Sequence, residues 1–145
     1  MEISGSYTFN APRARVWELL MDPQVISSCI PGCEGFEPIG EDRYRARLKV
    51  ALAAIAGSYD GTIVLSDKVP STSYTLTADG QGRPGFVKGS AGIALRDGEG
   101  DSTVVDVKGT VQTGGPVARV GQRLIGSVSK MMMDRFFACL QGKLA

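Results

Sequence analysis

The 145-residue chain reads as α+β: a curved antiparallel sheet of about seven strands wrapped around one long C-terminal helix, with two short helices after strand one. Three observations predict this. Between Glu34 and Gly114 apolar and polar residues alternate with the period of a strand, broken only at turn residues. From Gly114 to Leu144 the period changes to that of a helix. Ahead of the meander, two proline-bounded segments are long enough only for short helices. In this order the helices gather on one face of the sheet, and the long one must cover it.

The first strand, Glu2 to Asn10, places Ile3, Gly5, Tyr7 and Phe9 on one side and Glu2, Ser4, Ser6 and Thr8 on the other. Pro12 opens a short helix whose Val16, Leu19 and Leu20 share a face beside Trp17, and Asp22-Pro23 ends it. A second short helix runs from about Pro23 to Ile30, where Pro31-Gly32 breaks it. The breaks at Gly40-Glu41-Asp42, Asp67 to Ser71, Gly80 to Gly85 and Asp97 to Asp101 read as hairpin connections.

Each later strand has a face to bury. Tyr44, Ala46, Leu48, Val50 and Leu52 alternate with Arg43, Arg45, Arg47 and Lys49, so one face is apolar and the other basic and solvated. Tyr59, Gly61, Ile63 and Leu65 face in, as do Tyr74, Leu76 and Ala78, then Val87, Gly89, Ala91, Ile93 and Leu95, and finally Thr103, Val105, Val107, Gly109 and Val111. In the terminal helix, expected to start near Pro116, Val117, Val120, Gly121, Leu124, Val128, Met131 and Met132 form one broad face opposite Arg119, Arg123, Lys130 and Asp134. Near its end a second apolar row appears, Met133, Phe137, Leu140 and Leu144.

A chain of this length forms one domain with a substantial core or an internal cavity. Its 19 glycines are about twice the average usage of ~7%, and several of them face in. Small inward residues have two physical readings. They leave a tunnel between sheet and helix for an apolar small molecule, lined by Tyr7, Tyr44, Leu48, Tyr59, Ile63, Tyr74, Leu76, Ala78, Gly89, Ala91 and Gly109 from the sheet and by Val117, Val120, Leu124, Val128 and Met131 from the helix. Alternatively they mark bulges and close helix packing around a filled core.

Sixteen basic and fifteen acidic residues, net charge +1, carry no electrostatic footprint for nucleic acid. With no histidine, Ser-His and Cys-His nucleophile pairs and histidine metal sites cannot be built. Cys29 and Cys33 flank Pro31-Gly32, yet only distant Cys139 remains to complete a metal site, so no metal is expected. Gly80-Gln81-Gly82-Arg83-Pro84-Gly85 matches the letters of a dinucleotide fingerprint but leads into a strand, which makes it a hairpin loop. There is no secretory signal at Met1 and no apolar run near the ~20 residues of a membrane span, so a cytoplasmic location is expected. Three cysteines then read as free thiols in a reducing compartment.

Taken together, Gly5-x-Tyr7-x-Phe9, Val16-Trp17, Pro31-Gly32-Cys33-Glu34, Gly57-x-Tyr59-x-Gly61, Gly82-x-x-Gly85-Phe86, and Gly121-x-Arg123-Leu124-Ile125 with Phe136-Phe137 resemble the carbon monoxide dehydrogenase G-subunit family, over essentially the whole chain. The resemblance implies the START-like (SRPBCC) helix-grip fold and a cavity for lipids, sterols, polyketides or similar apolar molecules. It also implies a non-catalytic accessory protein of a molybdenum-containing carbon monoxide dehydrogenase or related hydroxylase, acting in membrane recruitment, maturation or passage of electrons to quinone. No cofactor is expected beyond a bound quinone or lipid, and membrane contact would be peripheral, at the inner face of the cell membrane. Ala53-Ala54 replaces a Gly-Pro-like turn usual in relatives, and members acting at the membrane often carry a further tail where this chain ends at Ala145.

Two other functions fit the same residues. A START-like cyclase or dehydratase needs an inward acid or base, and Glu34, beside Pro31-Gly32-Cys33, is the one acid worth testing. A pure adaptor with a filled core would dock through Met133, Phe137, Leu140 and Leu144 or through the basic strand.

Overall fold

In the computed structural model, which describes residues 1–51 and 55–144, alternation becomes a sheet of β1 (Glu2–Phe9), β2 (Cys33–Gly40), β3 (Arg43–Val50), β4 (Gly57–Val69), β5 (Ser73–Gly82), β6 (Gly85–Asp97) and β7 (Thr103–Gly114). The order is β1-β7-β6-β5-β4-β3-β2, with every neighbouring pair antiparallel. Leu52 and the Ala53-Ala54 substitution lie outside the described residues. The short helices are α1 (Arg13–Met21) and α2 (Pro23–Cys29), the latter capped by the Asp22 carboxylate, which accepts from the Gln24 amide at 2.9 Å.

The long helix differs from its expected form. Gly115–Val120 is a 3-10 helix, and α3 proper runs Gln122–Lys143. Gly121 separates them with φ +88° and ψ 157°, a backbone conformation closed to most other residues. The break resets the helical phase. Ile125 turns inward and is buried, whereas Leu124 turns out and is 39% exposed. A periodicity carried unbroken across Gly121 puts Leu124 near the centre of the buried face and leaves Ile125 out of it, which the structure corrects.

The later row, Met133, Phe137, Leu140 and Leu144, is no spare surface. Phe137 and Leu140 are 5% and 0% exposed, and Met133 and Leu144 pack on the same cluster. That cluster joins Phe9 of β1, Val16, Leu19 and Leu20 of α1, Ile26 of α2, and Tyr44, Leu65, Tyr74, Ile93, Leu95 and Val105 of the sheet. α1 and α2 cover the Phe9 end of the sheet, so the end of α3 is sandwiched between them and the strands. This is why it is apolar nearly all round. A smaller cluster, Ile55, Val111, Val117 and Ile125, closes the Met1 end.

Packing α2 against α3 also brings Cys29 and Cys139 together as a disulfide, with Cα atoms 5.4 Å apart; Cys33 is the free cysteine. The expectation of three free thiols is therefore corrected. An odd count says nothing of which pair the helices juxtapose. Disulfides are rare in reducing compartments, so cysteine usage no longer supports a cytoplasmic location. No described helix is long and apolar enough to cross a membrane.

The bond spans 110 residues of sequence, a separation for which the chain-entropy model assigns about 4–5 kcal/mol. Thiol titration of native protein should detect Cys33 alone, and reduction or Cys139→Ser should lower Tm by about 10 °C or more. An unchanged Tm on reduction would show that the bond does not constrain the fold.

Candidate functional site

Residue size along the inner face grades from one end of the sheet to the other. At the Phe9 end stand Tyr44, Leu65, Tyr74, Ile93, Leu95 and Val105, all buried. In mid-strand the register aligns small residues across neighbouring strands: Ala46 opposite Gly61, Gly61 opposite Gly80, Ala78 opposite Gly89, and Ala91 opposite Gly109. Under this belt lies a cavity of about 300 Å³. Its other wall is the first half of α3, through Ile125, Val128, Ser129 and Met132, with Val117 of the 3-10 helix. The two readings of the small residues thus divide the molecule: the Phe9 end is filled core, the Met1 end hollow.

Of the residues expected to line a tunnel, Leu48, Tyr59, Ile63, Leu76, Ala78, Gly89, Ala91, Val117 and Val128 border this cavity. Seven do not. Tyr44 is buried and stacks on Phe36, with ring centroids 4.7 Å apart. Tyr74 is buried edge-on to Trp17 at 5.6 Å. Tyr7 lies over Phe137, centroids 4.3 Å apart, and its hydroxyl donates to Asp134 at 2.8 Å. Val120 packs in the small cluster at the Met1 end, Leu124 is turned outward, and Met131 is half-buried away from the cavity.

Gly109 fails for a different reason. A Cβ there would collide with the Ser90 carbonyl oxygen and with Ala91, whose Cβ lies 2.8 Å away. Gly61 similarly abuts the Asp79 carbonyl. These two glycines let coiled strands approach closely, whereas Gly89 faces room: its nearest neighbours would be Thr110 O at 3.4 Å and Val111 Cγ2 at 3.8 Å.

Sequence reasoning missed Ile55, Ile125, Ser129 and Met132 as a set, together with Ile3, Val50, Val87 and Val111 at the hollow end. The inward alternation marked most of the strand residues. Ile125 was recoverable only from Gly121 as a phase break.

The cavity is nearly devoid of free polar groups. The Tyr59 hydroxyl donates to the Ile55 carbonyl at 2.9 Å, and desolvation by burial raises its pKa, so it stays a neutral donor already engaged. Burial likewise pushes the Tyr74 hydroxyl upward. For Tyr7, desolvation and the bond to Asp134 raise the pKa, in that order. The one acid bordering the cavity is Asp79 of β5, one of whose carboxylate oxygens is buried with no hydrogen-bond partner among the described residues. Glu34 is exposed on β2 and does not border the cavity. No group of three or more metal-ligating side chains occurs among the described residues.

A second recess of about 360 Å³ adjoins the cavity, sharing Val111 and Ile125, and is lined by Met1, Phe86, Gln112, Thr113, Ala118, Gly121 and Gln122. An apolar chamber therefore abuts a vestibule offering side-chain amides and a hydroxyl, between the start of α3 and the end of β7.

A sheet gripping a terminal helix over an apolar chamber defines a START-like, helix-grip protein, and solved structures share that fold. A START superfamily protein from Mycobacterium smegmatis superposes with TM-score 0.75 at 13% identity, covering 98% of this chain and 95% of that one. A protein from Thermus thermophilus gives TM-score 0.72 at 15% identity, with coverages of 98% and 95%. A conserved protein from Geobacillus kaustophilus is nearer still, with TM-score 0.95 and 37% identity over 99% of this chain and 94% of its own. Among curated proteins none matches the sequence significantly. The family model of the carbon monoxide dehydrogenase G subunit (CoxG) matches residues 5–145, and the chain belongs to that family.

The geometry separates two substitutions that composition treats alike. Ala78→Phe projects a ring into existing space and should change stability by less than about 1 kcal/mol, whereas Gly109→Leu drives atoms into the neighbouring strand and should cost about 3 kcal/mol or more. Urea denaturation of both variants measures the contrast, and equal costs would mean that the belt is uniformly packed.

Proposed function

We propose that this protein is a non-catalytic accessory protein that takes an apolar ligand, a quinone or a lipid, into the cavity between sheet and α3. In this reading it serves a molybdenum-containing carbon monoxide dehydrogenase or related hydroxylase in membrane recruitment, maturation or electron transfer to quinone. The observation that carries the proposal is a chamber with an apolar lining whose one tyrosine hydroxyl is already bonded to backbone. Family membership supports the partner, since the family is that of a subunit of carbon monoxide dehydrogenase.

The volume, about 300 Å³, sits at the lower end of ligand pockets. It suits one ring or a short run of alkyl chain. Gln112, Thr113 and Gln122 in the vestibule suit a polar head or a quinone carbonyl, so a molecule with one polar end and one apolar end fits both spaces together. Burial of an apolar ligand here contributes roughly 25 cal/mol per Å² removed from water, while the vestibule amides orient the ligand.

An enzymatic role would need a proton donor or acceptor aimed into the chamber. Asp79 is the single acid at its border, and its alternation on β5, between inward Ala78 and Gly80, directs its side chain to the outer face. Glu34→Gln and Asp79→Asn are accordingly expected to leave ligand uptake unchanged. The adaptor reading loses one of its two surfaces, because Phe137 and Leu140 are consumed by the core.

Mass spectrometry of organic extracts from purified protein should detect a quinone or lipid, and apo protein should take up a short-chain quinone supplied in detergent. Ala78→Phe should reduce that uptake about tenfold or more while remaining folded. Normal uptake by Ala78→Phe, or none by the parent protein, would overturn the assignment.

A further inference from the structure

The two edges of the sheet differ in character. One edge is β2, whose pairing with β3 shifts register between Cys33 and Gly35 and again between Pro38 and Gly40, and whose residues include Glu34, Glu37 and Pro38. Bulges, charges and proline are devices that keep an edge strand from pairing further. The other edge is β1. It pairs with β7 in unbroken register over all 8 of its residues, contains no proline, and has Glu2 as its one charged residue. α3 meets β1 on the inner face, where Phe137 packs against Tyr7 and Phe9, and it leaves Glu2, Ser4, Ser6 and Thr8 exposed. This edge carries none of the protection found on β2.

The ladder fixes which backbone groups of β1 face the open edge. The Met1 nitrogen donates to the Val111 carbonyl at 3.1 Å, and the Val111 amide donates to the Met1 carbonyl at 2.8 Å. Met1 and Val111 are therefore a hydrogen-bonded pair, and such pairs alternate along an antiparallel ladder. Ile3, Gly5, Tyr7 and Phe9 accordingly bond to Gly109, Val107, Val105 and Thr103 of β7. Glu2, Ser4, Ser6 and Thr8 direct their amides and carbonyls away from the sheet. Among the described residues no turn or loop bonds to them. The exposed side chains and the unpaired backbone groups thus belong to the same four residues.

We propose that β1 pairs antiparallel with β1 of a second copy of this chain, about a two-fold axis that passes through Gly5 perpendicular to the sheet. In this register Glu2 lies opposite Thr8 across the axis and Ser4 opposite Ser6. Each such pair exchanges two backbone bonds, so every outward amide and carbonyl of both strands is satisfied. A register centred on Ser4 or on Ser6 instead leaves Thr8 or Glu2 without a partner in the strand. No like charges face each other across the axis. This self-complementarity selects a second copy over a foreign strand. Charge favours the same arrangement. Hairpin turns at the Phe9 end carry Glu41, Asp67, Glu99 and Asp101, whereas Arg83, Lys88, Arg119 and Arg123 lie toward the Met1 end. All are exposed, and none is in an ion pair among the described residues. Antiparallel pairing sets the acidic pole of each copy on the side of the other's basic pole. It also puts the two vestibules at opposite ends of the dimer, so each chamber keeps its own.

Sedimentation equilibrium and amide hydrogen exchange read by NMR test the pairing on the whole chain. The protein should be dimeric at micromolar concentration. Ser4→Pro removes an amide that bonds to nothing within its own chain, so it should leave Tm nearly unchanged while weakening dimerisation about tenfold or more, through the two symmetry-related bonds lost. Ile39→Lys, on the β2 edge, should leave the dimer intact. In the dimer the amides of Ser4, Ser6 and Thr8 should be protected, and dilution should release these alone, with Ile3, Gly5 and Tyr7 protected throughout. If Ser4→Pro does not fold, the exchange pattern of the parent protein decides the matter by itself. A monomer at millimolar concentration, a dimer that folded Ser4→Pro does not weaken or that Ile39→Lys dissociates, or a dimer in which the Ser4, Ser6 and Thr8 amides exchange freely would overturn the proposal.

Discussion

The register that aligns small side chains across the middle of the sheet is the constraint on which the rest depends. In an antiparallel sheet the two-residue period decides which side chains share a face, but only the pairing of Ala46 with Gly61, Ala78 with Gly89 and Ala91 with Gly109 decides that the small ones fall under the same stretch of α3. A slip of one residue in any of these strands would send its small side chains to solvent and larger neighbours into the chamber. Two of the glycines, Gly61 and Gly109, serve the curvature itself by admitting close strand approach. The cavity is thus a product of bending as well as of missing side-chain volume.

Gly121 has a comparable role on the helical side. By ending the 3-10 helix at a positive φ and restarting the helical phase, it presents Ile125, Val128 and Met132 to the chamber and leaves Leu124 outside. Further along the same helix, Phe137 and Leu140 lock into a close-packed core with β1 and the short helices, reinforced by the disulfide from Cys29 to Cys139. One helix therefore carries two functions in series. Its end anchors the fold, and its beginning walls the ligand space.

The strand pattern, both short helices and the four hairpin breaks were legible in the sequence because each rests on a local signal: two-residue alternation, prolines at helix starts, and glycine or acidic turn residues. The site was legible in part. Leu48, Ile63, Leu76, Ala78, Gly89 and Ala91 follow from alternation alone, since a strand residue's face does not depend on its partners. Tyr44 and Tyr74 have the correct face but the wrong end of the sheet, and only strand register separates the two. On the helix, Leu124 was placed on the buried face and Ile125 was left out of it, because a single glycine shifted the phase. The disulfide had no local signature at all, since it depends on how α2 lies against α3.

The central claim is that apolar ligands enter beneath the first half of α3 and not elsewhere in the interior. Methyl NMR of the protein titrated with a short-chain quinone tests this most directly. The account predicts shifts among the methyls that line the cavity, Leu48, Ile63, Leu76, Ile125, Val128 and Met132 among them, with Leu19, Leu65 and Leu140 unmoved. Shifts centred on the latter set, or an absence of any saturable shift, would contradict it.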